Sequence, residues 1–387
     1  MQPWEDSQID EIREKYSQFA KEHLAGDRAH RDKEGDFSKE RWKKAAESGF
    51  LNLMMPEELG GTDAPVTQVV AAIEGLGESC EDSGFLYAMS NQLVGIQLTL
   101  KQFASEEVKT KFLPALMNGD RMAAYAFTED TSGSDAYSME TTAVEDGDGF
   151  RINGTKSYLT NAPYSDLALV FAKTADNRGP FSLTAFWVDL NSEGASHGRE
   201  FEKMGLRTVR MGEMVFDNVY VPKSHIVGVK GGGLRVLTES TGWERSVLIA
   251  TALGPMRRGL DQCLDRVKTR QQFDKPIGAF QQISAKIANM VMQQRLCRQV
   301  VYDLASKLSN GKSMQSCAQD AAIAKLFVSE NFVQFELDAL QIFGVRGYLL
   351  ESFVNQDLRD SLSFNIWSGT SESLRNTIAK LEGVPVS

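Results

Sequence analysis

The chain has 387 residues, of which 42 are Lys or Arg and 52 are Asp or Glu, for a formal charge of −10. At 42% hydrophobic and 24% charged residues, it has the makeup of a globular protein of two or three compact units rather than a disordered chain. The acidic balance argues against a nucleic-acid partner, because neutralising phosphates requires clustered Lys and Arg.

The first residues, Met1 to Asp6, show no basic or apolar leader. From there to about residue 120 the pattern is helical. An amphipathic start (Ile9, Ile12, Tyr16, Phe19, Ala20) is followed by a loop at Pro56–Gly61 and two apolar-periodic segments near 66–79 and 84–103. Residues 121–231 change to short runs rich in β-branched and aromatic residues: Ala123–Thr128, Phe150–Asn153, Tyr158–Thr160, Leu167–Ala172, Leu183–Val188 and Met214–Phe216. Turn signals at Asp146–Gly149 and Asn153-Gly154 predict antiparallel hairpins. Three glycines, 231–233, read as a linker rather than a phosphate cradle, and helical periodicity fills 232–387. There Ile283, Ile287, Met290, Gln294, Cys297, Val301, Leu304 and Leu308 recur at alternating spacings of four and three, the stripe of a bundle helix. A second long helix over 314–343 and a short one from Ser371 follow. The expected fold class is α+β and multidomain: an N-terminal helical domain (1–120), a middle antiparallel β-domain (121–231) and a C-terminal four-helix bundle (232–387).

No run approaches the roughly 20 apolar residues of a membrane span, so a cytoplasmic protein without membrane contact is expected. Cys80, Cys263, Cys297 and Cys317 form no C-x-x-C pair, and His23, His30, His197 and His225 form no H-E-x-x-H. Neither a disulfide framework nor a metal site is therefore expected. G-x-G-x-x-G after a strand, Walker A and G-x-S-x-G motifs are missing too.

Six segments in register carry a resemblance. They are Tyr125–Asp135 (YAFTEDTSGSD), Ile152–Asn161 (INGTKSYLTN), Met204–Arg207 with Val215–Pro222, Arg270–Gly278 (RQQFDKPIG), Gln341–Gly344 (QIFG) and Ser368–Glu372 (SGTSE). Together the chain resembles the acyl-CoA dehydrogenase family, whose three-part architecture matches the three textures above. The resemblance implies FAD. Tyr125, Phe127, Thr128 and Thr160 would meet the isoalloxazine edge, and Tyr158 would pack against the ring. Gly133 and Ser134 would let main chain approach the pyrophosphate and the substrate arm, glycine having no Cβ to obstruct it. Arg270, Phe273, Gln341 and Gly344, with Thr370, would reach FAD, the first four that of a neighbouring subunit in a homotetramer built as a dimer of dimers. Read alone, each of Tyr125, Phe127 and Tyr158 is better taken as plain sheet packing, and Arg270 as a solvated helix-end charge; the six segments in register turn the reading toward the cofactor.

The implied chemistry takes a proton from Cα of an acyl thioester and a hydride from Cβ. It needs a carboxylate in a dry pocket and donors for the thioester oxygen. Many family members place that glutamate just before the Gly-Thr of the last motif; here the position is Ser368. A branch that includes isovaleryl- and long-chain acyl-CoA dehydrogenases carries it on the helix after the β-domain. Trp243-Glu244-Arg245 occupies that place, with Val247 and Leu248 on the same helical face as Glu244. Glu244 is thus the expected base, against the alternative of a surface carboxylate paired with Arg245. Arg245, Ser134 and the Ser368 backbone N–H are expected at the substrate.

Asn161-Ala-Pro163, Trp243–Arg245 and Ser368–Thr370 look most like the prolyl-carrier-protein dehydrogenases. That resemblance implies an aminoacyl group on a carrier protein as substrate, with electrons passing to an electron-transfer flavoprotein or O2. Arg207 with Arg210, or Arg257 with Arg258, would supply a basic docking patch for an acidic carrier. A free short or branched acyl-CoA is the second reading, and a catalytically silent flavoprotein scaffold, suggested by Ser368, the third.

Overall fold

The computed structural model describes residues 6–176 and 178–386. Met1–Glu5, on which the reading of no leader mostly rests, lie outside the described residues. The N-terminal helices are α1 (Ser7–His23), α2 (Arg28–Glu34), α3 (Lys39–Glu47), α4 (Val66–Ser79), α5 (Ser83–Asn91), α6 (Leu98–Phe103) and α7 (Glu106–Met117). Capping residues begin several of them. Asp6 accepts from Gln8 N at 3.0 Å, Ser105 from Val108 N at 3.3 Å and Asp82 from Phe85 N at 2.9 Å. Between α5 and α6 the chain stays helical but widens into a π-turn, Gln92–Gln97, so the segment expected over 84–103 is one rod with a bulge in its middle. That turn packs against the sheet and against the first helix after it.

The β-domain is a single sheet of β1 (Ala123–Ala126), β2 (Thr142–Asp146), β3 (Gly149–Thr160), β4 (Leu167–Lys173), β5 (Leu183–Asp189), β6 (Ala195–Phe201), β7 (Met211–Pro222) and β8 (Ile226–Val227). Its order is β6-β7-β3-β2-β4-β5-β8, with β1 on β4. Two expectations are corrected here. The sheet is mixed, not antiparallel, because β1 arrives from the helices rather than by a hairpin and pairs parallel to β4, Tyr125 opposite Leu169. Nor is Asn153-Gly154 a turn. β3 runs straight through it with a register shift, and position 154 requires glycine, both for its φ of +148° and because a Cβ there would stand 2.4 Å from Thr141 Oγ1. The continuous apolar run of β4 reflects burial on both faces. Leu167, Leu169 and Phe171 join the helical core, while Ala168, Val170 and Ala172 join a second core on the other face.

The C-terminal helices are α8 (Gly233–Ser246), α9 (Leu253–Thr269), α10 (Gln281–Ser309), α11 (Ala318–Phe343), α12 (Val345–Tyr348), α13 (Phe353–Leu362) and α14 (Ser371–Leu381); a hairpin of β9 (Gln271–Gln272) and β10 (Lys275–Pro276) separates α9 from α10. The stripe on α10 is buried from Met290 to Leu308 and only half-buried at Ile283 and Ile287. The glycines at 231–233 form a packed joint rather than a loose linker, since a Cβ on Gly233 would meet the backbone of Leu183 at 2.8 Å. No helix among the described residues is long and apolar enough to cross a membrane, and none of their acidic, His or Cys side chains cluster to hold a metal.

Candidate active site

Four elements converge: the last turn of α8, the π-turn with the end of α5, the ends of β1 and β3, and the loop before α14. Glu244 projects from the last turn of α8 and is 7% exposed. Its Oε2 accepts the hydroxyl of Ser368. Burial pushes the carboxyl above its ordinary value; the Ser368 hydroxyl, Arg245 and Lys325 each pull it partly back. A buried acid held this way is a proton acceptor whose basicity is raised without losing its charged form's partner. Ser368, just before the Gly-Thr of the last motif, therefore hydrogen-bonds the buried acid of α8.

The loop itself is strapped. Ser368 and Gly369 take left-handed conformations, φ +53° and +102°. Arg245 Nε donates to the Ser368 carbonyl at 2.8 Å, and Lys325 Nζ to the Gly369 carbonyl at 2.8 Å. Thr370 then caps α14 by accepting from Ser373 N at 3.3 Å. Arg245, expected at the substrate, thus has its guanidinium on the backbone of this turn. Lys325, from the buried stripe of α11, is fully buried; burial and the nearby Arg245 charge bring its ammonium down to about 7.

Two tyrosines face the same space. Tyr125, on β1, shares a 2.6 Å hydrogen bond with Ser240 Oγ on α8, one turn before Glu244. Tyr87, on α5, shares a cavity wall with Thr160 at the end of β3 and tilts against Trp367 at 5.4 Å between ring centres. Burial and the Glu244 charge raise both phenols, so both remain neutral donors. Beside them Tyr87, Thr160, Met211, Ile366 and Trp367 border a cavity of 240 Å³, chiefly apolar.

Phe127 and Thr128 continue from β1, Phe127 packing edge-on against Phe171 at 5.5 Å. The loop after them is pinned by Glu129, whose carboxylate takes Lys156 Nζ at 2.7 Å and the N–H of Thr141 at 3.1 Å. Lys156 is fully buried and depressed to about 8, burial outweighing Glu129. Gly133 and Ser134 sit at the exposed tip, with open space where a Gly133 Cβ would be. Tyr158 is 46% exposed and lies on Phe201 at 4.8 Å.

The remaining expected residues are elsewhere. Arg270 ends α9, and Phe273, 87% exposed, tips the β9–β10 hairpin. Gln341 and Gly344 end α11, where Arg266 lies over Phe343 at 5.5 Å and feels the charges of Arg270 and Arg346. This exposed basic and aromatic end is separate from the Glu244 site. The expected docking arginines are not free. Arg258 is buried against Asp357 and the Gly77 carbonyl, Arg257 pairs with Asp261, Arg210 with Glu200, and Arg207 donates to the carbonyls of Asp32, Lys33 and Lys203. Arg257 and Arg258 stand about 100° apart around α9, so Arg258 turns inward while Arg257 stays exposed.

Sequence reasoning missed Lys325, Tyr87 and Asn91. The first left a signal, a lysine in the stripe Ala321, Ala324, Lys325, Val328, Phe332. The other two come from a segment that reads only as apolar helix.

Comparison with known proteins gives three family-model matches in chain order: the acyl-CoA dehydrogenase N-terminal domain over residues 6–120, its middle domain over 124–219 and its C-terminal domain over 231–382. The chain is 33% identical over 379 residues to an L-prolyl-[peptidyl-carrier protein] dehydrogenase of Serratia sp. (strain ATCC 39006), covering 98% of this chain and 97% of that one. Among solved structures it resembles the prolyl acyl carrier protein oxidase AnaB, with TM-score 0.95, 34% identity and coverage of 98% and 100%. An FAD complex of PigA gives TM-score 0.94 at 32% identity, covering 98% and 99%.

Proposed function

The chain belongs to the acyl-CoA dehydrogenase family, and on that footing we propose that it dehydrogenates an acyl thioester at Cα and Cβ with FAD, the acyl group being a small aminoacyl unit of prolyl type on a carrier protein. The observation that carries this reading is the buried Glu244 carboxylate set against the strapped Ser368–Thr370 turn. Relatives at about one-third identity over nearly the whole chain, among them a prolyl-carrier-protein dehydrogenase and AnaB, support the thioester class.

The residues suit FAD. An apolar cavity is bordered by Thr160 and Trp367, an aromatic face is offered by Tyr158, and open space flanks Gly133 and Gly344. When bound, FAD supplies the acceptor for the hydride that leaves Cβ. Thr128, Thr160, Tyr125 and Phe127 would hold the ring edge, and Gly133 and Ser134 the pyrophosphate and substrate arm. Arg270, Phe273, Gln341 and Gly344 would serve the FAD of a neighbouring subunit. Exposed Val345, Tyr348 and Leu350 at that same end support a subunit contact.

Glu244 takes the α-proton. Its Oε2 is engaged by Ser368, which leaves Oε1 to receive it. The Ser368 N–H is offered to the thioester oxygen, and Arg245 and Lys325 hold that turn at fixed height. Neutral Tyr87 and Tyr125 and the ring of Trp367 exclude water, keeping the acid basic.

The test is turnover of a prolyl-carrier thioester against isovaleryl-CoA, read as loss of oxidised-flavin absorbance. The carrier-bound substrate is expected to bleach the flavin. Activity on the CoA thioester alone would move the assignment to a free acyl-CoA, and a colourless protein without affinity for FAD would leave only a scaffold.

A further inference from the structure

Asn91 is the last residue of α5, where the helix opens into the π-turn. It is 3% exposed, its side-chain amide makes no hydrogen bond among the described residues, and the amide atoms keep contact with accessible space. Its neighbours bond the backbone, although Gln97 Oε1 is left without a partner among the described residues. Gln92 accepts from Ala123 N at 3.2 Å and donates to the Arg121 carbonyl at 3.3 Å, and Gln97 donates to the Leu51 carbonyl at 2.7 Å. An unbonded amide that faces accessible space is free to meet a polar group entering the site.

The direction of the amide says what that partner is. One turn along the helix, a Cβ on Gly95 would stand 2.5 Å from Asn91 Oδ1 and 3.1 Å from Glu244 Oε1. The amide oxygen and the base therefore flank one small space, kept open by the missing side chain of Gly95. Both are acceptors, and one carries charge. A methylene placed against Asn91 Oδ1 would bury an acceptor without a donor; a cationic N–H group adjoining Cα would satisfy it and leave Glu244 Oε1 free for the Cα–H.

We propose that Asn91 is a specificity-determining residue that accepts a hydrogen bond from the α-ammonium of an aminoacyl thioester through Oδ1, an inference that rests on the thioester reading above. The nitrogen is attached to Cα, so a group held by Asn91 places the Cα–H toward Glu244 Oε1. The same contact then selects the substrate and orients it. Sites built around a substrate N–H reject analogues lacking it far more strongly than sites that merely enclose a shape.

The experiment compares two thioesters on one carrier protein, prolyl and its carbocyclic isostere cyclopentanecarbonyl, with FAD-loaded wild type, Asn91→Leu and Asn91→Asp. Wild type should reduce its flavin with the prolyl thioester at least about 10²-fold faster than with the isostere. Asn91→Leu should lose about that factor on the prolyl substrate while its rate on the isostere holds or rises. Asn91→Asp, which keeps an acceptor, should retain the preference for prolyl, and covers the case in which the leucine variant does not fold. Equal wild-type rates on the two thioesters would overturn the inference and leave the thioester reading standing, as would parallel loss on both in Asn91→Leu. No wild-type turnover of either carrier thioester would instead overturn the reading on which the inference rests.

Discussion

Replacing Gly95 with alanine perturbs the site by one methyl group. The new Cβ would stand 2.5 Å from Asn91 Oδ1 and 3.1 Å from Glu244 Oε1, whereas ordinary contact begins near about 3.5 Å. The amide must retreat by about 1 Å and the carboxylate by about half that. Both contacts are side-chain ends, so the backbone need not move. Alanine also recovers about 0.5–1 kcal/mol of helix propensity over glycine, which offsets much of the packing cost, and the melting temperature should change by only a few degrees. Catalysis has no such relief: a reacting group misplaced by about 1 Å costs on the order of 10²-fold in rate. Anaerobic stopped-flow flavin reduction, with flavin content and thermal unfolding measured on the same sample, separates the two effects. A folded, flavin-loaded Gly95→Ala variant that reduces its flavin at the wild-type rate would refute the placement of substrate between Gly95 and Glu244.

The rate of flavin reduction should rise with pH through an inflection above the ordinary glutamate value, because burial raises Glu244 and only its ionised form accepts the proton. Ser368→Ala removes a hydrogen bond to that ionised form, so its inflection should move higher still; a downward move would contradict the donor role of Ser368. Lys325→Met removes a buried ammonium and its bond to the Gly369 carbonyl. Flavin reduction should slow about 10- to 100-fold with the fold kept, and an unaltered rate would show that Arg245 alone holds the turn. Lys156→Met breaks a buried pair and leaves Glu129 uncompensated, at a cost of about 3–5 kcal/mol. Denaturant unfolding should show that loss, and the double variant with Glu129→Gln should show less of it.

What the sequence made legible follows periodicity. The α4 span of 66–79, the stripe of α10 and the three-part order depend on patterns that neighbouring residues repeat, and a pattern survives tertiary contact. Single positions fare differently. Asn153-Gly154 has the chemistry of a turn, yet long pairing of β3 with β7 overrides it and converts the glycine into a bulge beside Thr141. Arg257 and Arg258 look alike as letters, but α9 turns one outward and buries the other on Asp357. Glu244 and Ser368 were readable as an exchange of positions because both lie in motifs; that Ser368 then hydrogen-bonds Glu244 is visible only in three dimensions. Asn91 carries no sequence signal, since its meaning depends on a π-turn that aims it and on a glycine one turn away that leaves room.

The central claim is that Glu244 is the base, and Glu244→Gln tests it most directly. The amide keeps the shape and can still face Ser368, but it cannot accept the α-proton. Mixed anaerobically with a prolyl-carrier thioester, the FAD-loaded variant should keep its oxidised-flavin spectrum, with the reduction rate down by about 10³-fold or more. Bleaching at the wild-type rate, with flavin content unchanged, would contradict the account and place the base elsewhere.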